Sequence, residues 1–261
     1  FGCVIGDEAH MFKAKSLTGI MTKLHQCKYR FGLTGTLDGS QTHKLVLEGL
    51  FGTAEKVVST KELIDKKTLA NLKIKCIVLK HPTKKERMDY VEEMDYIVSR
   101  ESRNKFILDL CKNISGNTLC LFQLVEKHGK ILHDGMKGGE NVYFVYGGTD
   151  TEQREKIRGL VEGHTKSTTI ASYGTFSTGI NIRNINNIVL ASPSKSKIRV
   201  LQSIGRGLRT SSTKDSILIF DIADDISYGE RRNFTLNHFF ERINIYNEEQ
   251  FNYEISKVKI K

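Results

Sequence analysis

The sequence contains no tryptophan and only two prolines, Pro82 and Pro193, among its 261 residues. It has no apolar run that approaches the roughly 18 residues needed to cross a bilayer. It also lacks a basic-then-apolar start with a small-residue cleavage site, so no secretory leader is predicted. With 39% hydrophobic and 27% charged residues, the composition is that of a globular protein. We therefore expect a cytoplasmic protein with no membrane partner.

The cysteines form no pattern that indicates metal binding or disulfide bonding. There are five, an odd number, and no Cys-x-x-Cys or Cys/His metal spacing occurs. Cys3, Cys76 and Cys120 lie in apolar, strand-like runs. We expect reduced thiols in the core, as is usual in the cytosol.

The chain carries a net charge of +10, from 40 basic and 30 acidic residues. Such an excess favours a polyanionic partner, and nucleic acid is the commonest one. Charge alone leaves open a basic surface that has no such partner.

Short apolar runs alternate with helical stretches, which predicts an α/β fold with a parallel sheet. The longest helix is predicted over residues 85–115, and others begin near Thr151 and Ile198. A late helix carries Phe239 and Phe240, and alternation at residues 251–255 indicates a short strand. The predicted strands are 3–5, 29–33, 74–79, 118–122, 142–145, 168–171, 187–191 and 216–221.

A break near residues 66–75 predicts three parts. Residues 1–72 would be the C-terminal part of one parallel-sheet domain, and 73–225 a complete second domain. Residues 226–261 would form a short, helical C-terminal extension. Because the chain opens inside an apolar, strand-like run, Phe1 to Ile5, we expect it to be a piece of a longer protein.

The first chemical signal is an apolar run that ends in Asp7-Glu8-Ala9-His10. Ligands gather at the C-terminal ends of strands in open α/β sheets, where this pair of carboxylates would lie. Mg²⁺ prefers oxygen ligands and keeps several waters, so a single carboxylate, Asp7, suits it. Glu8, one residue further, would polarise the water that attacks a phosphoryl group.

Two further segments combine small, hydroxyl-bearing or basic residues. Residues 171–181 follow a predicted strand and contain hydroxyls and glycines that suit phosphate oxygens. In Gln202-Ser203-Ile204-Gly205-Arg206-Gly207-Leu208-Arg209, Arg206 and Arg209 are three apart and share a helix face. Guanidinium groups match phosphate geometry, and an arginine can stabilise transition-state charge on a γ-phosphate.

Taken in order, these segments resemble the motifs of superfamily 2 helicases. Asp7 to His10 resembles motif II, and Phe31-Gly32-Leu33-Thr34-Gly35-Thr36 resembles motif III, with Leu37 in place of the usual proline. Residues 118–123 resemble motif IV, residues 171–181 motif V and residues 202–209 motif VI. The finer pattern, with Leu47-Glu48-Gly49-Leu50-Phe51-Gly52, is similar to the DEAH-box-type branch that contains XPB-type and phage helicases.

The resemblance implies RecA-like domains and an ATP-dependent DNA helicase that uses Mg²⁺. His10 would couple the nucleotide to the partner domain, and Arg209, with Arg206 beside it, would complete the ATP site. Coupling or ATP contacts are implied for Thr34, Thr36, Gly179, Asn181 and Gln202. Nucleic-acid contacts are implied for Ser172 and Thr175, and a turn at Gly147 and Gly148 is expected near the track. The relatives' Asp at the position of Asn181 is absent.

The family's members remodel branched DNA, so the implied partners are branched or single-stranded DNA and other recombination or replication proteins. A phage-encoded protein would act in recombination and repair in the host cytoplasm. His128, Lys127 and Lys130 could contact phosphates, although a solvated helix face is the more ordinary interpretation.

The phosphate-binding loop Gly-x-x-x-x-Gly-Lys-Ser/Thr does not occur in these 261 residues. That loop supplies the amides and the lysine that hold the β- and γ-phosphates, so these residues alone are not expected to hydrolyse ATP. Two alternatives remain open. One is a non-catalytic nucleic-acid-binding module of RecA-like fold, and the other is the translocase subunit of a restriction enzyme.

Overall fold

The computed structural model describes residues 1–11, 14–35, 41–82, 88–175, 182–194, 196–208, 215–227 and 231–261. The chain divides into two compact units. The first comprises Phe1–Ser59 with Ser196–Gln202, and the second comprises Thr60–Lys195 with Ser203–Lys261. The domain limits at residues 72 and 225 stay a prediction.

The first unit is built on two parallel strands, β1 (Cys3–Gly6) and β2 (Tyr29–Gly32), paired from Cys3 opposite Tyr29 to Gly6 opposite Gly32. Helices α1 (Ala14–Lys23) and α2 (Gln41–Phe51) accompany them. The unit's small core consists of buried apolar residues from the turn after β1 and from both helices: Ala9, Leu17, Met21 and Leu47.

The second unit contains a parallel sheet of seven described strands in the order β5-β6-β4-β7-β8-β3-β9. This confirms the predicted α/β class with a parallel sheet. The strands are β3 (Asn71–Lys80), β4 (Asn117–Phe122), β5 (Val142–Val145), β6 (Ser167–Ser172), β7 (Asn187–Leu190), β8 (Ser216–Asp225) and β9 (Tyr253–Lys259). Strands β4, β6 and β7 are buried along their whole length, as expected where helices cover both faces.

Helices connect these strands and cover the sheet. They are α3 (Thr60–Asp65), α4 (Tyr90–Ser99), α5 (Glu101–Asn113), α6 (Lys130–Gly135), α7 (Thr151–Gly163) and α9 (Phe234–Glu248). Helix α8 (Lys197–Gly207) belongs to the first unit as far as Gln202 and to the second unit from Ser203. The main core joins α5 and α6 to strands β3, β4 and β8 through residues such as Ile107, Leu132 and Phe122. Among the described residues, no helix has the length and apolar character that a bilayer span requires.

The single helix predicted over 85–115 is wrong, because α4 and α5 are separated at Arg100, whose ψ of 112° is extended. Helix α4 begins at a capping box in which Asp89 and Glu92 bind each other's backbone N–H groups. The side-chain amide of Asn104 donates to the carbonyl of Val98 at 2.8 Å. That bond satisfies a carbonyl left free at the end of α4, and apolar periodicity cannot reveal it.

The C-terminal stretch is not only helical. After α9, strand β9 pairs with β3 from Tyr253 opposite Ile74 to Lys259 opposite Lys80, and it forms the edge of the sheet. The strand predicted from the alternation at residues 251–255 is therefore confirmed. The description of residues 226–261 as a helical extension is incomplete, since they complete the sheet of the second unit.

All five cysteines are free, and Cys27, Cys76, Cys111 and Cys120 are buried. Burial raises the pKa of the Cys76 thiol well above its usual value. The expectation of a core thiol is wrong for Cys3, which is exposed because β1 has only β2 beside it among the described strands.

Two buried ion pairs hold helices to strand β8. Arg103 of α5 donates from Nε and Nη2 to the two carboxylate oxygens of Asp224, at 2.8 and 2.9 Å. Arg242 of α9 donates to both oxygens of Asp221, with its shortest contact at 2.7 Å. Burial alone raises the pKa of Asp224, but Arg103 and a hydrogen bond from His81 outweigh it and lower that pKa to about 2.

His128 lies in a single π-helical turn, Val125–Gly129, that leads into α6. It is fully buried, so the prediction of a solvated face is wrong for this residue. Its Nδ1 lies 2.9 Å from the hydroxyl of Ser192. Burial, reinforced by the charge of Arg103, lowers the pKa of His128 from 6.5 to about 3. The ring is therefore neutral at physiological pH.

This burial predicts acid destabilisation with a defined origin. As pH falls from 6.5 towards about 3, the unfolded chain binds a proton at His128 that the folded chain excludes. The free energy of unfolding should therefore decrease, by up to about 1.4 kcal/mol per pH unit for this one proton. Chemical denaturation of the wild type and of His128→Asn between pH 7.5 and 5 measures it. The variant should show the shallower dependence, and His133→Asn, at a part-exposed histidine, should behave like the wild type.

Candidate functional site

The predicted carboxylates lie where β1 ends. Asp7 and Glu8 follow Gly6 directly, and both are exposed. The backbone N–H of Glu8 donates to Oδ1 of Asp7 at 2.9 Å. Glu8 has a φ of 47°, a left-handed conformation that costs a residue with a Cβ. The backbone is thus strained at one of the two residues assigned to catalysis, as is common at functional sites.

His10 joins three separate sequence motifs. Its Nδ1 lies 2.6 Å from the hydroxyl of Thr34 and 3.3 Å from Oε2 of Glu8. Its Nε2 lies 3.3 Å from the amide nitrogen of Gln202, which belongs to the same compact unit. Because the amide nitrogen can only donate, Nε2 accepts, and the ring proton resides on Nδ1, facing Thr34 and Glu8. The side chain is buried, so these contacts fix the ring.

Backbone hydrogen bonds hold the segments after β1 and β2 together. The N–H of Leu33 donates to the carbonyl of Gly6 at 2.8 Å, and the N–H of Ala9 donates to that of Leu33 at 2.9 Å. A Cβ at Gly32 would meet the ring of Phe51 at 2.8 Å, so glycine lets α2 approach the strand. The segments that resemble motifs II and III are therefore held together by backbone hydrogen bonds.

Several predicted site residues fall outside the described part of the chain. Thr36, Gly179, Asn181 and Arg209 belong to this group. Arg206 lies on α8, but its side chain is not among those described.

The predicted nucleic-acid residues of the second unit lie at the C-terminal ends of β5 and β6. Ser172 and Thr175 are buried, and their hydroxyls lie 2.8 Å apart. The N–H of Thr175 also donates to Oγ of Ser172, at 3.4 Å. In this arrangement the hydroxyl pair fixes the backbone after β6, and contact with a phosphate stays a prediction.

Gly147 and Gly148 form an exposed turn between β5 and α7. The side chain of Arg154 donates to the carbonyl of Gly147 at 3.0 Å, and the hydroxyl of Thr149 accepts from the N–H of Tyr146 at 3.1 Å. The turn is held firmly, and its exposed glycines leave the backbone accessible.

Lys127 and Lys130 are exposed but paired. Lys127 binds Asp95 at 2.8 Å, and Lys130 binds Glu126 at 2.6 Å. This agrees with a solvated surface for the two lysines.

The donor set at β1 suits an ion that is held mainly by phosphate and water. Among the described residues, no group of three or more histidine, cysteine or acidic side chains forms a metal cage. A magnesium ion needs no such cage, because it commonly takes one or two carboxylates together with substrate phosphates. Asp7, exposed at the end of its strand, fits that requirement.

The sequence did not reveal three buried polar side chains that bind the loops of the second unit. Ser192, Arg103 and Arg242 are buried, and their side chains bind the backbone just after β4 and β7. Arg103 and Arg242 carry no local signal, since an arginine in a helical stretch is usually exposed. Pro193 beside Ser192 indicates a turn but not its partners.

Residues 102–211 match the family model described as the helicase conserved C-terminal domain. The chain therefore contains a helicase C-terminal domain, and it is similar to superfamily 2 helicases in sequence and in structure. Along its whole length it is 34% identical to the ATP-dependent DNA helicase uvsW of Enterobacteria phage T4, and it spans 55% of that protein. The crystal structure of T4 UvsW superposes with a TM-score of 0.62, over 99% of this chain and 54% of that one.

Two more distant structures share the fold alone. The type ISP restriction-modification enzyme LlaBIII, bound to DNA, is 12% identical and has a TM-score of 0.64, over 99% of this chain and 22% of that one. Dbp5 of S. cerevisiae, bound to RNA and ADP BeF3, is 11% identical and has a TM-score of 0.57, over 99% and 60%. The chain spans about half the length of its phage relative. The helicase domain match and the likeness to that relative support a helicase-type motor module.

The backbone at Glu8 yields a stability prediction. Glu8→Gly should be more stable than Glu8→Gln by about 0.5 to 1 kcal/mol, because glycine adopts a positive φ without a Cβ clash. Both variants lose the carboxylate charge, so that charge does not contribute to the difference. Urea denaturation measures the difference. As a control, Glu152→Gly in the first turn of α7 should destabilise; a Glu8→Gly variant that is less stable than Glu8→Gln would contradict the assigned conformation.

Proposed function

We propose that this chain is the part of an ATP-driven DNA helicase or translocase that follows its phosphate-binding loop. In the complete protein, ATP hydrolysis would drive movement along DNA and the remodelling of branched DNA. We predict that the protein is located in the cytoplasm, which is the host's cytoplasm if a phage encodes it. The 261 residues alone would not hydrolyse ATP, because the loop that holds the β- and γ-phosphates is not among them.

The observation that carries the proposal is the contact set of His10. Its buried ring is in contact with Glu8, Thr34 and Gln202, which come from three motifs. A histidine that only packs in the core does not require a catalytic carboxylate beside it. A ring whose one nitrogen faces Glu8 and whose other nitrogen faces Gln202 can instead link the position of the hydrolytic carboxylate to α8.

In the proposed mechanism, Glu8 orients and polarises the attacking water, and Asp7 holds the water shell of Mg²⁺. Bound Mg²⁺ would neutralise charge on the phosphate oxygens. Arg206 and Arg209 would stabilise the negative charge that develops on the γ-phosphate, since guanidinium groups suit phosphate geometry. Thr34, Thr36, Gly179, Asn181 and Gln202 would contact the nucleotide or relay its state.

Ser172, Thr175, Gly147 and Gly148 would line the nucleic-acid track through backbone phosphates. The net charge of +10 supports a polyanionic partner. DNA is favoured over RNA because the 34% identical phage relative is an ATP-dependent DNA helicase. Action on forks, junctions or R-loops, with recombination or replication proteins as partners, follows from the branch that the motifs resemble.

Replacement of Glu8 tests the hydrolytic site. In the full-length protein, Glu8→Gln should lower the DNA-stimulated rate of ATP hydrolysis by at least about a hundredfold, because the water loses its orienting carboxylate. Binding of ATP should persist. Steady-state phosphate release and fluorescent-nucleotide binding measure the two properties.

Glu126→Gln is the matched control, because Glu126 is an exposed carboxylate that pairs only with Lys130 among the described residues. It should leave the rate of hydrolysis unchanged. If Glu8→Gln hydrolysed ATP at the wild-type rate, the assignment of Glu8 to the hydrolytic site would be wrong, and so would the proposed function.

The choice of nucleic acid is tested separately. Forked DNA and four-way junctions should stimulate ATP hydrolysis by the full-length protein at lower concentrations than single-stranded DNA, and RNA should stimulate it least. The logarithm of DNA affinity should fall linearly with the logarithm of salt concentration, because phosphate contacts dominate. Equal stimulation by RNA would leave the motor assignment intact but exclude DNA specificity.

A further inference from the structure

The turn between β7 and α8, residues 191–194, is buried although it is a loop. We call it the β7–α8 turn. Its first two N–H groups, from Ala191 and Ser192, both donate to the carbonyl of Leu121 in β4, at 3.0 and 3.3 Å. Loops usually lie on the surface because their backbone needs water. Here protein groups satisfy the backbone instead, which gives the turn a defined position.

Buried arginines hold both ends of the β7–α8 turn. Nη2 of Arg103 donates to the carbonyl of Ala191 at 2.7 Å, and Nη1 of Arg242 donates to the carbonyl of Ser194 at 2.9 Å. Each guanidinium is itself bound by a buried carboxylate of β8. Charge-assisted hydrogen bonds of this kind are stronger than neutral ones, so the turn is anchored to the sheet at two points.

Between these anchors, Ser192 contacts the segments that follow two other strands. Its hydroxyl oxygen accepts from the N–H of Gln123, directly after β4, at 3.1 Å. It also lies 2.9 Å from Nδ1 of His128, within hydrogen-bonding distance. Its carbonyl accepts from the hydroxyl of Tyr173, directly after β6, at 3.0 Å.

The far end of α8 is also fixed. A Cβ at Gly207 would meet Cδ1 of Ile217 at 2.1 Å and Cδ1 of Ile188 at 2.8 Å, so this end lies directly on β7 and β8. The helix that carries Gln202 and Arg206, α8, therefore ends at a glycine contact on the sheet. The β7–α8 turn precedes this helix in the chain.

We propose that Ser192 is a positioning residue that couples the segment after β4 and the predicted nucleic-acid segment after β6 to α8. The inference rests on the proposed function. The side chain of Ser192 contacts Gln123 and His128, and its carbonyl contacts Tyr173. A shift of either segment when DNA binds would therefore reach the β7–α8 turn. Ser192 contacts neither ATP nor DNA in this scheme, and it acts through α8, the helix that carries Arg206.

The test is the kinetic split of a Ser192→Ala variant of the full-length protein. The maximal DNA-stimulated rate of ATP hydrolysis should fall about five- to tenfold, the factor that the net free energy of one buried hydrogen bond supplies. The DNA concentration for half-maximal stimulation should stay within about twofold, since the DNA-contacting groups remain. Ser192→Thr, which restores the hydroxyl, should recover most of the rate.

Thr169→Val is the matched control, because the Thr169 hydroxyl is equally buried and has no hydrogen-bond partner among the described residues. It should leave both kinetic parameters unchanged. If Ser192→Ala does not fold, Tyr173→Phe removes the other contact and should give the same split. The proposal is overturned if Ser192→Ala and Tyr173→Phe hydrolyse ATP as fast as Thr169→Val. It is also overturned if their loss of rate parallels a lower unfolding temperature and Ser192→Thr does not restore the rate.

A wild-type protein without any DNA-stimulated ATP hydrolysis would overturn the proposed function itself. That outcome is distinct from failure of the inference, in which the wild type is stimulated and Ser192→Ala is stimulated equally.

Discussion

Strand β8 carries two buried carboxylates, and the architecture of the second unit depends on their neutralisation. Asp221 and Asp224 are fully buried, and each is paired with an arginine from a helix, α9 or α5. Alternate residues of a strand face opposite sides of a sheet. Phe220 and Ile222 belong to the core beside α5, so Asp224 faces that layer and Asp221 faces the layer of α9.

These pairs fix geometry more than they add stability. Removing two charges from water is costly, so a buried ion pair often contributes little net free energy, whereas loss of one partner costs about 3 to 5 kcal/mol. The arginines also have a second use, since both donate to carbonyls of the β7–α8 turn. The same charges therefore fix a helix layer and position the loop that leads into α8.

Most of the sheet could be predicted from the sequence, because strands buried on both faces appear as apolar runs bounded by turns. Strand β5, for example, begins and ends at the predicted residues, 142 and 145. The separation of α4 from α5 could not be predicted, since the amide that binds the carbonyl of Val98 belongs to Asn104, six residues later and with no signal in the apolar periodicity. The burial of His128 was equally hidden, because a histidine between two lysines has the local pattern of a solvated face.

At the site, the motif pattern could predict which residue types gather, but not how they are bonded. The spacing of Asp7, Glu8 and His10 indicated a strand end with hydrolytic chemistry, yet the proton position on His10 follows only from its contacts with Thr34 and Gln202. Ser192 illustrates the same limit more strongly. Serine beside proline is an ordinary turn sequence, and its importance arises from Gln123, His128 and Tyr173, which are far from it in the chain. Residues that connect motifs have no motif of their own, so only three-dimensional contacts can identify them.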